Sequence, residues 1–274
     1  MSVLQKLIKG MPEFLQFPLL KGLYLLKGNN LKSIKSYHRK LYIYEVGNYF
    51  VPSESIGWFV TFDYYHKWVE KLSAWIYKPG NGDIILDIGA GLGEESLVFS
   101  TMAGGKGKVF SIEANPQVFE VLSNVIRLNK ADNVKLFNEA ISVSNGKVKM
   151  NVASNSFLGG SIGGQSGADN QFTVEGIRMD TFIEREKLEN IDLLKVNIEG
   201  AERFVIESLG PYINRVKNVA ISCHDFRYRF DGNDFFRTRE LVEAYLRDNN
   251  FEIIPDNGDR EFDDWVYAVN KINQ

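Results

Sequence analysis

The chain has 274 residues, 44% hydrophobic and 24% charged, which suits one large domain or two small ones around a full core. A formal net charge of −3 speaks against a nucleic-acid partner bound by overall charge. A single cysteine, Cys223, excludes an internal disulfide framework and points to a reducing, cytoplasmic setting, and neither a membrane-spanning apolar run nor a signal-peptide pattern is evident.

Charge is unevenly placed. Residues 1–41 hold eight basic residues and one acidic residue, Glu13, giving +7; against the total of −3, the remainder carries −10. The apolar groups "FPLL" and "LYLL" interleave with these lysines. The pattern fits an amphipathic segment in peripheral contact with anionic lipid, or a helical arm packed on the main domain or on a second subunit of a homo-oligomer; the packed arm is the plainer reading. Residues 42–63 are rich in aromatic and β-branched types and read as short strands and turns. "YYHKWVEKLSAWIY" has helical apolar spacing and ends at Pro79-Gly80. A boundary there divides an N-terminal helical and β extension, 1–79, from a main domain, 80–274.

From Asp83 onward strands alternate with helices, the pattern of a mainly parallel α/β sheet. "IILDIG" reads as a buried strand followed by a helix, and "KVFSIE" as the second strand. "NPQVFEVLSNVIRLN" is the second helix, with Asn115 as N-cap and Pro116 in its first turn. "VKLFNEAIS" and "KVKMNVA" read as further strands, and the Ser/Gly-rich residues 154–172 as a mobile loop. "IDLLKVNI", "AERFVIESL", "NVAISCH" and "RTRELVEAYLRDNN" continue the alternation. "FEIIP" and "DDWVYAVNK" close the chain as an antiparallel pair.

The turn "DIGAGLGEES", Asp87 to Ser96, is glycine-rich between a strand and a helix, which marks a nucleotide site. A dinucleotide fold wants G-x-G-x-x-G, but Glu94 occupies the third glycine position and would face a pyrophosphate. No Gly-Lys-Ser/Thr follows, so a P-loop is excluded. S-adenosylmethionine carries a sulfonium and an amino group instead of phosphate, so Asp87 with Glu94 or Glu95 suits it. Glu113 ends the second strand, where a carboxylate accepts hydrogen bonds from ribose hydroxyls. A NAD-dependent oxidoreductase is the weaker alternative, and an ordinary tight turn the plain one.

"ILDIGAGLGEESLVFS", "VFSIEANPQVFEVLSNVIRLN", "MDTFIE" and "IDLLKVNIEGAERFVIES" resemble the FkbM-type methyltransferases, most strongly over residues 83–208. The resemblance implies the doubly wound, Rossmann-like methyltransferase sheet of seven strands with an antiparallel last strand. It also implies methyl transfer from S-adenosylmethionine to a hydroxyl, often of a sugar or glycan, with S-adenosylhomocysteine as product. Gly89, Gly91, Glu113 and the Glu139–Ala140 edge would surround the cofactor, with Asp87, Glu95 and Asn115 beside them. The family's K-x-D-x-E-G reads here Lys195-Val-Asn197-Ile-Glu199-Gly200. Asn197 can hydrogen bond but cannot take a proton, so another base acts or the site has an altered, non-catalytic role.

Three strand ends are polar: Glu113, Asn197–Glu199 and His224–Asp225. His224 is the first candidate base, because imidazole is neutral and accepting near neutral pH; its plain alternative is to orient a loop. Glu199 is the second, with helix capping as its alternative. Lys195 reads as buried or paired, and His66 as a packing or surface residue. Asp225, Glu199 and Asp192 form no recognisable ligand set, so no metal is expected. "DFRYRFDGNDFFRTR", 225–239, reads as a loop whose Arg227 and Arg229 lie among aromatics and suit an anionic sugar, with Ser161 of the Ser/Gly loop at the same edge. No nucleic-acid partner is expected: the fourth strand ends in "NIEG" and not in Asn-Pro-Pro-aromatic.

Overall fold

The computed structural model describes residues 3–38, 41–57, 59–152, 160–161, 170–255 and 264–272. The N-terminal region opens with helices α1 (Val3–Gly10) and α2 (Glu13–Leu26), followed by strands β1 (Leu31–Tyr37), β2 (Leu41–Val46) and β3 (Tyr49–Ser53). The strands form an antiparallel sheet in the order β1-β2-β3. Residues 31–37 thus correct the reading of 1–41 as a helical arm. Leu31, Ile34 and Tyr37 have helix-like spacing, but β2 pairs with the segment from Leu31↔Val46, through a register shift before Ser33, to Tyr37↔Leu41, and pairing overrides spacing. Helix and sheet meet in a cluster of Ile8, Leu20, Tyr24, Leu31, Tyr44, Val51 and Val60. The buried Tyr24 hydroxyl both donates to the Val60 carbonyl and accepts from its N–H, each at 2.9 Å.

Helix α3 (Phe62–Lys71) is capped by Thr61, whose hydroxyl accepts from the Tyr64 N–H. Its Val69 packs with Ile85 and Val98, so the N-terminal region shares an apolar cluster with the main sheet. The main domain continues with β4 (Ile84–Ile88), α4 (Glu94–Ala103), β5 (Lys108–Ile112), α5 (Pro116–Leu128) and β6 (Val134–Phe137). Then come β7 (Glu139–Ile141), β8 (Gly146–Val152), β9 (Gly160–Ser161), β10 (Asn170–Ile177), α6 (Met179–Glu186), β11 (Ile191–Val196) and α7 (Glu202–Leu209). Last are β12 (Val216–Ser222), α8 (Asp225–Asp231), α9 (Arg239–Asp248), β13 (Phe251–Ile254) and β14 (Trp265–Asn270).

Seven of these strands form one sheet, β13-β14-β12-β11-β4-β5-β6, with β14 antiparallel to both neighbours. This is the doubly wound methyltransferase order with its antiparallel last strand. Every residue of β11 is buried, as expected of a central strand covered on both faces. Leu86, Ile88, Leu194 and Val196 pack on one side, and Ile85, Val109 and Leu193 on the other.

"VKLFNEAIS" is not one strand. The Asn138 side chain donates to the carbonyls of Glu113 and Ala114 and ends β6, and β7 joins a second sheet, β7-β10-β8-β9. "KVKMNVA" belongs to that second sheet as β8. Most of the expected Ser/Gly loop lies outside the described residues, and Asn170–Phe172 belong to β10. The segment 225–239 is helical where a loop is expected: α8 ends at Gly232, whose φ of +70° no other residue type adopts as readily.

Candidate active site

The strand order reverses between β4 and β11, so the connections leaving their carboxyl ends part and open a crevice. Gly89 follows β4 at φ +72°, and a Cβ there would lie 2.0 Å from the Asn197 carbonyl oxygen. Only glycine lets the two connections approach this closely. The crevice brings together Gly89, Glu113, Asn115, Glu139, Ala140, Asn197 and Glu199, with Ile88, Ile112, Ile141 and Met150 as apolar walls.

Glu113 is fixed by two backbone donors, Gly91 N–H at 3.1 Å and Asn115 N–H at 2.7 Å. Burial pushes its pKa up to about 7 against these donors. Glu139 is clamped by Arg185 at 2.7 and 2.8 Å. Asn115 caps α5 by accepting from the Gln117 N–H. A slot with apolar walls and a fixed carboxylate at the end of the second strand fits an adenosine whose ribose diol donates to Glu113.

Asp87 and Glu95 do not line this crevice. Strand register sets Lys195 of β11 beside Asp87 of β4, on the sheet face that α4 covers. The wholly buried Lys195 Nζ lies 2.9 Å from Asp87 Oδ1, 2.8 Å from Glu95 Oε2 and 2.9 Å from the Gly89 carbonyl. Ser96 donates to Asp87 at 2.6 Å and Ser73 to Glu95 at 2.5 Å. Burial disfavours the ammonium, but the two carboxylates outweigh it and hold its pKa above the ordinary value. These charges brace the glycine turn from beneath instead of facing a ligand.

His224 is also placed differently from the expectation of a free base. It is 4% exposed and lines neither this crevice nor the cavity described below. Its Nδ1–H donates to Glu202 at 2.8 Å, and Nε2 lies 3.7 Å from Glu199. Burial opposes its protonation, but Glu202 and Glu199 prevail and raise its pKa; its ring nitrogens face these two carboxylates and not a ligand cavity. Glu199, at φ +54°, pairs with Arg227, and Arg227 stacks over Phe236 at 4.1 Å. Arg227 is therefore committed to Glu199, and the exposed Arg229 to Asp264 at 3.2 Å; neither lines the crevice. Asp225 accepts from the N–H groups of Thr238 and Arg239 and caps α9. Ser161 sits in β9, and its side chain lies outside the described residues. Sequence reasoning missed Glu202, fully buried, which accepts from the N–H groups of Ile198 and Gly200, from His224 and from Thr238. Its signal was an acidic residue in the first turn of α7.

A second cavity adjoins the first at Asn197, which lines both. Its wall is built from the N-terminal region: Lys9, Ser53, Glu54, Tyr64, Tyr65 and Trp68, closed by Leu92 and Glu94. Glu94 begins α4, one residue before Glu95, and its Oε2 is buried without a hydrogen-bond partner. Burial pushes its pKa up to about 8, with Glu95 and Glu54 adding to the shift. Among the described residues no three His, Cys, Asp or Glu side chains converge to hold a metal ion.

The profile of the methyltransferase FkbM domain matches residues 87–253. Protein-L-isoaspartate O-methyltransferase of Methanocella arvoryzae is 36% identical over 56 residues, which span 20% of this chain and 30% of that relative. Among solved structures, Aeropyrum pernix fibrillarin in complex with natively bound S-adenosyl-L-methionine aligns at 17% identity with a TM-score of 0.45, over 88% of this chain and 99% of the other. Precorrin-6y C5,15-methyltransferase from Geobacter metallireducens aligns at 14% identity with a TM-score of 0.42, over 76% and 87%. The matched span runs from the aspartate beneath the glycine turn through β13 and contains every residue of the crevice, and the chain belongs to the FkbM-domain family of S-adenosylmethionine-dependent methyltransferases.

Proposed function

We propose that the protein methylates a hydroxyl of a sugar, in a glycan or a glycosylated metabolite, with the acceptor seated in the second cavity. The observation that carries this reading is the junction at Asn197 between the crevice and a cavity lined by Glu94, whose Oε2 is buried without a hydrogen-bond partner. When bound, S-adenosylmethionine supplies an electrophilic methyl group and departs as S-adenosylhomocysteine. Gly89, Glu113, Asn115 and Ala140 would hold its nucleoside part. Tyr64, Tyr65 and Trp68 give the second cavity aromatic surface of the kind that stacks on sugar rings, and Ser53, Ser55 and Glu54 give it hydrogen-bonding partners for hydroxyls.

A sugar hydroxyl is a poor nucleophile until its proton leaves, so the site needs a base within reach of the acceptor oxygen. Glu94 replaces His224 in that role: in its ionised form, which predominates above about pH 8, its Oε2 would take the hydroxyl proton as the oxygen–carbon bond forms. Asn197, at the junction, would orient the acceptor by hydrogen bonding, a task that needs no ionisable group. The anionic character of the acceptor loses its support from Arg227 and Arg229, and Lys9 is the cation that lines the cavity instead.

The test is incubation with S-adenosylmethionine and a panel of neutral saccharides, uronic-acid saccharides, an RNA oligonucleotide and an isoaspartyl peptide. S-adenosylhomocysteine release with a mass gain of one methyl on a saccharide alone is the expected outcome. Methylation of the RNA or the peptide, with every saccharide untouched, would overturn the reading.

A further inference from the structure

The N-terminal helices have two faces, and only one is used by the fold. Inward, Ile8, Leu20 and Tyr24 are buried against the three-stranded sheet. Outward, large apolar side chains stand in solvent: Leu7 at 57% exposure, Phe14 at 74%, Leu15 at 45%, Leu25 at 57% and Leu26 at 85%. Of the eleven large apolar residues exposed among the described residues, these two helices hold five. A soluble surface scatters such residues singly, whereas a concentration of this kind marks a contact site.

The spacing makes the patch continuous. Phe14 and Leu15, then Pro18, then Gly22, then Leu25 and Leu26 follow each other at three to four residues and line one side of α2. Pro18, Leu19, Gly22, Leu23, Leu25 and Leu26 line a shallow apolar groove, with the exposed Phe14 one turn before Pro18. Exposed lysines share these helices: Lys6 and Lys9 on α1 and Lys21 within α2, while Lys27 at the end of α2 holds its ammonium 4.2 Å over the Phe59 ring. Glu13 is the one acidic residue of this region, and the stretch 1–41 carries +7. Tyr24, bonded through its hydroxyl to Val60, fixes α2 to the body, so the patch is presented as a formed surface.

We propose that this outer face of α1 and α2 docks on an anionic lipid bilayer. Apolar side chains that share their helices with lysines match the two parts of such a surface: the acyl boundary takes Phe14, Leu25 and Leu26, and the acidic headgroups attract the lysines. A second copy fits less well, because an isologous contact through the same face would bring two lysine-bearing helix pairs together. No helix among the described residues is long and apolar enough to cross a membrane, so the contact is peripheral. Lys9 also lines the second cavity, so docking brings that cavity's wall to the bilayer surface.

Vesicle sedimentation of the full chain tests this, with phosphatidylcholine alone and with phosphatidylserine added. Phe14→Ser/Leu26→Ser removes the apolar contact at two fully described, exposed positions, and Lys6→Glu/Lys21→Glu inverts the charge; thermal melting confirms that each variant is folded. The full chain should pellet with the anionic vesicles and each double variant should lose about tenfold or more in partitioning. Binding of the charge variant should also lose its sensitivity to salt. Equal partitioning of the folded variants and the unaltered chain would overturn the proposal. So would a stable dimer that Phe14→Ser/Leu26→Ser dissociates, in a protein that ignores both kinds of vesicle, since the face would then belong to a second copy.

Discussion

Glu94 and Glu95 are neighbours on one helical turn, and the fold treats them in opposite ways. Glu95 points beneath the glycine turn, where Lys195 and Ser73 meet its carboxylate. Glu94 points to the second cavity, where its Oε2 is buried and meets nothing. Beneath the turn, burial with partners makes a brace. Above it, burial without a partner leaves a carboxylate whose pKa is displaced towards the range where a base is useful. An acidic pair next to a glycine-rich turn is thus one braced residue and one that the proposed function uses as base, and the difference lies in which face of α4 each occupies.

Removing the brace should have the largest effect. Lys195→Met leaves Asp87 and Glu95 buried without their cation, and denaturant unfolding at neutral pH should show a loss of about 3–5 kcal/mol. An unchanged midpoint would mean that the three charges are not coupled as described.

The opposite side should respond with the opposite sign. Glu94 has a folded-state pKa of about 8 against an ordinary 4.5. Between those values the folded chain holds a proton that the unfolded chain has lost, so this residue's contribution to stability falls as pH rises through that window. Glu94→Gln should therefore gain on the unaltered chain between pH 5 and pH 8, by on the order of 2 kcal/mol, in parallel thermal melts. Glu113, pushed up to about 7, adds a pH dependence of the same sign that this variant retains.

Two smaller changes sharpen the division between cofactor and base. Glu113→Gln should weaken S-adenosylhomocysteine binding by roughly tenfold in calorimetry, through a lost charge-assisted contact. His224→Gln should lower turnover less than about tenfold, because its partners are Glu202 and Glu199 and not the acceptor. A loss of a hundredfold or more at unchanged cofactor affinity would return the base assignment to His224.

The central sheet was legible because buried parallel strands such as "IILDIG" and "IDLLKVNI" are mostly apolar and separated by amphipathic helices. The crevice was legible for a related reason: Gly89, Glu113 and Asn197 each follow a strand, and the strand order alone sets their ends side by side. Side-chain direction was not legible. Asp87 and Glu95 carry the right charge for a cationic ligand, but whether they meet it depends on the β4–β11 register that delivers Lys195. His224 ends a strand at the right edge, yet Glu202, twenty-two residues earlier, claims its ring. The second cavity was hidden because its wall comes from Lys9, Glu54 and Trp68, far from the motifs in sequence and joined to them only by tertiary packing. The Leu31–Tyr37 strand was hidden by its helix-like apolar spacing.

The most direct measurement is S-adenosylhomocysteine affinity and saccharide turnover, taken side by side on Glu94→Gln. Cofactor affinity within about threefold of the unaltered chain, with turnover lower by about a hundredfold or more, is the predicted result. Turnover that survives the substitution, or an affinity that falls as far as the rate, would contradict the assignment of Glu94 to the acceptor's proton.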